Sequence, residues 1–89
     1  MGREHYGEER EERQMEKAER VVAEEMKRRR WRREMLEKLA KGDVGKIEIA
    51  VRLRRETLVT VALIAERLRM GSVANVNTLL YHRRKGRRK

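Results

Sequence analysis

From Glu8 to Lys41 the chain carries neither glycine nor proline, and Glu, Arg, Lys, Met, Ala and Leu fill most of its positions. These residues lose little rotamer freedom in a helix. The stretch therefore predicts one continuous helix, closed by Gly42 in a left-handed C-terminal cap. Glu9/Arg13, Glu16/Arg20 and Glu24/Arg28 stand four apart as favourable pairs, while Glu12/Glu16 is repulsive. Met15, Ala18, Val22 and Met26 make one narrow apolar stripe, with Trp31 nearly opposite it. Met35, Leu36, Leu39 and Ala40 form a second, wider face. On this reading residues 34–41 join the core. Residues 8–30 form an arm that pairs with a second copy, docks on a larger partner or stays solvated.

Composition narrows the function. The 89 residues hold 25 Lys+Arg against 15 Asp+Glu, a formal charge of +10. A chain of this size buries only about 60% of the surface it exposes when unfolded, too little for an enclosed substrate pocket. There is no Cys, so no disulfide scaffold and no thiolate chemistry, and only His5 and His82 could offer imidazole to a metal. No metal and no cofactor is expected. No apolar run reaches the roughly 20 residues of a membrane span, and acidic helix rather than a signal-peptide core follows Met1-Gly2-Arg3-Glu4-His5. These features point to an intracellular, non-enzymatic protein with no membrane partner.

Charge is unevenly placed. Residues 1–20 hold seven acids and five bases, whereas residues 73–89 hold six bases and no acid. A basic end of this kind is the footprint of a polyanion binder.

The middle of the chain divides into short helices. Asp43 can cap a helix over Val44–Arg55, with Val44, Ile47, Ala50 and Val51 on one face and Ile49 and Leu53 pointing elsewhere. A short helix apolar on two sides is usually sandwiched between neighbours, although the β-branched content of Lys46–Leu53 also permits a strand. Thr60 can cap Val61–Arg69, with Val59 and Ile64 as a hydrophobic staple. Ser72 can cap a last helix from Val73 to about Arg84, with Val73, Val76, Leu79 and Leu80 inward. Two short helices joined by a glycine-containing turn are the helix-turn-helix unit, and small Ala65 lets them cross closely. The predicted fold is all-α: a long charged helical arm over 1–41, a helix-turn-helix domain over 42–82 and a basic tail over 83–89.

The run Ile64-Ala65-Glu66-Arg67-Leu68-Arg69-Met70-Gly71-Ser72, followed by Val76 and Leu79-Leu80, resembles the C-terminal helix-turn-helix of REP-associated tyrosine transposases. Arg52-Leu53-Arg54-Arg55-Glu56-Thr57 resembles the segment that precedes the motif, so the likeness covers about residues 44–83. It implies a DNA-recognition module in the bacterial cytoplasm, associated with the nucleoid, alone or as the accessory subunit of a nucleic-acid enzyme. The family's nuclease chemistry does not carry over. Its metal is held by a His-hydrophobic-His pair, but here His5 precedes Tyr6-Gly7 and His82 precedes Arg83-Arg84. Tyr6 and Tyr81 thus lack the ligands that metal-assisted phosphoryl transfer requires.

On the last helix, Ala74, Asn75, Thr78 and His82 lie opposite the inner face, with Asn77 and Tyr81 at its margins. Residues near the start of a recognition helix reach base edges in the major groove. Asn pairs bidentately with adenine, while Ala or Thr methyls contact the thymine methyl. Asn75 is the leading base-reading candidate, and as a surface residue its replacement by Ala should leave stability nearly unchanged. Arg67, Arg69, Ser72, Arg83, Arg84, Lys85, Arg87, Arg88 and Lys89 are the candidate phosphate contacts. The expected partner is duplex DNA. The alternative is a basic helical protein that binds RNA or docks on a ribonucleoprotein, although aromatics at 3% leave few stacking platforms.

Overall fold

The computed structural model describes the backbone of residues 2–87 and the side chains of residues 12–85. Five helices follow one another: α1 (Gly2–Arg29), α2 (Met35–Lys38), α3 (Val44–Glu56), α4 (Val61–Leu68) and α5 (Val73–Arg87). No strand occurs among the described residues, so Lys46–Leu53 is helix. None of these helices is long and apolar enough to cross a membrane. The centre is α3, which packs against α1, α4 and α5, while α4 also packs against α5.

The long first helix stops earlier than its composition predicts. Arg30 is left-handed at φ 60°. Its N–H bonds the Lys27 carbonyl at 3.1 Å, and the Trp31 N–H bonds the Met26 carbonyl at 2.8 Å. This pair of bonds is a Schellman motif, usually built on glycine. Gly42, the expected cap, is not left-handed. The break is set by packing: the half-buried Trp31 joins the core where α3 begins. The single turn α2 follows, with Leu36 buried but Ala40 exposed.

The second half of α1 is core and not a free arm. Val21 and Val22 are fully buried and Glu25 nearly so. Salt bridges there also depart from the expected pattern. Arg28 pairs with Glu25 at 2.7 Å, while Glu24 is held by Arg52 of α3 at 2.8 Å.

Each predicted N-cap bond forms. The Asp43 carboxylate accepts from the Gly45 N–H at 2.9 Å, Thr60 Oγ1 accepts from Leu63 at 3.2 Å and Ser72 Oγ accepts from Asn75 at 3.1 Å. Caps depend only on residues within one turn, which makes them legible locally. The sandwiching of α3 also holds, but its buried side is Lys46, Ile49, Ala50 and Leu53, and Val44 is 66% exposed. On α5, Val76 is buried with Leu79 and Leu80 packed beside it, whereas Val73 is exposed. The helix runs through Arg87, so the first part of the expected tail continues it.

Gly45 shows how closely Trp31 sits. A Cβ added there would lie 2.5 Å from Cη2 and 2.6 Å from Cζ2 of the indole. Alanine is the better helix former by about 1 kcal/mol, but overpacking against a rigid ring costs about 1–3 kcal/mol. Gly45→Ala is therefore expected to lower the urea midpoint and to shift the emission of the chain's one tryptophan. A higher midpoint would mean that the ring moves aside freely.

Candidate nucleic-acid interface

The sequence places bases along the whole chain, and the fold decides which remain available. On the α1 side, acids and arginines neutralise one another. Glu25 accepts from Arg28 and Arg29 at 2.7 Å each and from Arg52 at 2.8 Å. Arg52 also reaches Glu24 at 2.8 Å and Glu56 at 2.9 Å, and Arg29 reaches Glu48 at 2.6 Å. Burial pushes the Glu25 carboxyl up, but the bonds from Arg52 and Arg28 and the charges of Arg28 and Arg29 outweigh it, leaving its pKa below the ordinary value. The Glu56 carboxyl is also held low, chiefly by its bond from Arg52, and the Arg52 guanidinium is raised by the same carboxylates.

Lys46 is handled differently. It is almost completely buried, and its ammonium donates to three main-chain carbonyls: Leu36 at 2.6 Å, Leu39 at 3.2 Å and Arg69 at 3.0 Å. Burial lowers its pKa below the usual lysine value, with partial compensation from Asp43. Three donors meet three acceptors, so the group is satisfied within the fold. It takes no part in the surface field, and no pattern in the sequence distinguished it from an exposed lysine.

The phosphate candidates divide accordingly. Arg67 is engaged with Glu19 of α1 through two bonds, at 2.7 and 3.0 Å, which removes it from the free cations. Arg69 is left-handed at φ 55° and closes α4 in a second Schellman motif. In that motif its own N–H bonds Glu66 at 3.4 Å and the Met70 N–H bonds Ala65 at 2.9 Å. Its exposed guanidinium lies 3.9 Å from Glu37. Arg83 stands 3.6 Å from Glu48. Arg84 and Lys85 are exposed with no carboxylate partner among the described residues, and Lys85 Nζ stands 5.9 Å from the centre of the Tyr81 ring. Arg87 lies at the end of α5 and its side chain is outside the described residues, as are Arg88 and Lys89.

The base-reading candidates also separate. Ala74, Thr78 and His82 are exposed along α5. Asn75 is not free surface: its amide donates to the Met70 carbonyl at 2.7 Å, folding back on the turn between α4 and α5. Gly71, at φ 88°, makes that turn. Replacing Asn75 would remove a bond within the turn, so the expectation of unchanged stability does not stand.

The packing of α5 on α3 creates a cationic cleft of about 600 Å³. Arg54 and Arg55 come from α3 and Arg83 and Arg84 from α5, with Asn77, Tyr81, Val51 and Leu80 completing the lining. On α3, Arg52 turns to the α1 network, Glu48 reaches both Arg29 of α1 and Arg83 of α5, and Glu56 lies between Arg52 and Arg55. Helical spacing sets Arg54 away from residues 48, 52 and 56, with Arg55 at the border between the two sides. Sequence reasoning passed over Arg54 and Arg55 as site residues. The available signal was their spacing from Val51, but only the docking of α5 makes that face a wall. A second cleft, between α1, α2 and α4, is lined by Met15, Val22 and Leu63 and carries charges of both signs, including Glu19, Glu37 and Arg67. No group of three or more potential metal-ligating side chains is assembled among the described residues.

Compared with known protein families, with characterised proteins and with solved structures, the chain matches none of them.

Proposed function

We propose that the chain binds duplex DNA without catalysing a reaction, with α4 and α5 acting as a helix-turn-helix. In this reading α5 enters the major groove and presents Ala74, Thr78 and His82 to base edges, while Arg84 and Lys85 contact phosphates. The observation that carries it is electrostatic. After Glu66 the sequence contains no acid. Glu19, Glu24 and Glu25 of α1 are meanwhile bonded to Arg28, Arg29, Arg52 and Arg67. On the α5 side only Glu48 and Glu56 approach the cations, at 3.6 Å from Arg83 and Arg55, which leaves a net positive field of the kind a phosphate-binding surface needs. The resemblance of residues 44–83 to a transposase DNA-recognition segment supports the same reading, as a module that serves a nucleic-acid enzyme.

Fluorescence anisotropy with duplex DNA, single-stranded DNA and an RNA hairpin of equal length tests it. Duplex DNA is expected to bind tightest. Arg84→Gln with Lys85→Gln should make the slope of log affinity against log salt shallower by about 2, since each phosphate contact contributes close to one. An unchanged slope would remove α5 from the interface. Tightest binding to the RNA hairpin would favour the ribonucleoprotein reading instead.

A further inference from the structure

We propose that the cleft between α3 and α5 holds one unpaired nucleotide, next to the duplex that α5 engages. The inference rests on the reading of α5 as a DNA-binding helix and adds a second kind of contact. A duplex backbone offers phosphates and sugars, for which a flat row of cations suffices. This cleft contains more than that. Its floor includes the half-buried aliphatic side chains of Val51 and Leu80, and Tyr81, 56% exposed, lines it. Asn77 is exposed in the same cleft, and its side chain makes no hydrogen bond among the described residues. Its amide has both donors and an acceptor for a base edge.

The cations stand where flanking phosphates would need them. Arg54 and Arg84, from opposite walls, have no carboxylate partner among the described residues. Arg55 and Arg83 are held only at 3.6 Å, from Glu56 and Glu48, against 2.6–2.9 Å for the network on the α1 side. A paired base hides its faces in the stack and its Watson–Crick edge in the pair, so an apolar floor and an aromatic ring find no face on it and an amide finds only its groove edge. An unpaired base exposes all three complementary surfaces. Helical spacing places Tyr81 between the cleft and the outward face of Ala74 and Thr78, so a strand leaving the duplex would pass directly into the cleft.

The test uses a blunt fluorescent DNA duplex and the same duplex with a two-nucleotide single-stranded extension. The extension is expected to tighten binding about tenfold, the scale of one base stacked on an aromatic ring. Tyr81→Ala should abolish that gain while leaving affinity for the blunt duplex within about twofold, and Tyr81→Phe should retain it. Equal affinity for the two duplexes, or a gain that survives in Tyr81→Ala, would overturn the cleft assignment and leave the duplex reading standing. Failure of both duplexes to bind would overturn the duplex reading and this inference with it.

Discussion

Lys46→Met is expected to lower the unfolding free energy by about 3 kcal/mol, the largest loss foreseen for a single side chain in this protein. Methionine keeps an unbranched apolar stem and removes only the ammonium. The carbonyls of Leu36, Leu39 and Arg69 then lose a shared donor. A buried polar group left without a partner costs about 1–3 kcal/mol. Part of that is offset because an ammonium no longer has to be desolvated. The damage should be spread across the fold, since those carbonyls belong to the α2 region and to the end of α4 while Lys46 belongs to α3. Urea unfolding followed by circular dichroism would measure it. A midpoint equal to that of the native chain would show that the three carbonyls find other partners and that Lys46 is dispensable.

Arg52→Ala should have the second largest effect, about 1–2 kcal/mol. The guanidinium joins α3 to α1 through Glu24 and Glu25 and also braces Glu56. Breaking a fully buried pair costs about 3–5 kcal/mol because a charge is left behind, but Arg52, Glu24 and Glu56 are partly exposed and solvent screens them. The loss here is also smaller because Glu25 retains Arg28 and Arg29. Arg52→Lys should not restore stability, since an ammonium cannot bond three carboxylates in the geometry of a planar fork. The pH dependence has a definite sign. Glu25 has a folded pKa below its ordinary 4.5, so its contribution is present above 4.5 and is lost as pH falls through the folded value. Stability of the native chain should therefore decline on acidification below about 4.5, and Arg52→Ala should decline less steeply. Identical acid profiles for the two proteins would mean that the Glu25–Arg52 bond does not hold in solution.

The division between local and tertiary information follows physical range. Asp43, Thr60 and Ser72 set the starts of α3, α4 and α5 because each cap bonds an amide two or three residues away. The helical class, those three boundaries and the acid-free end after Glu66 were determined by the sequence alone. The end of α1 was not. Propensity favours helix through to Lys41, and only the docking of Trp31 against Gly45 makes a left-handed Arg30 worth its strain. The same holds for α3, whose apolar residues cover two sides. Which side is buried depended on three neighbouring helices, and the partners of Lys46 lie 7, 10 and 23 residues away. At the candidate interface, exposure of Thr78 and His82 followed from helical period. The engagement of Arg67 by Glu19, 48 residues distant, and of Asn75 by the turn required the folded chain. The cleft is the clearest case: Arg54 and Arg55 read as ordinary helix surface until α5 packs beside them and supplies the facing wall. Short-range hydrogen bonds are written in neighbouring residues, whereas burial, long-range ion pairs and clefts exist only once distant helices are brought together.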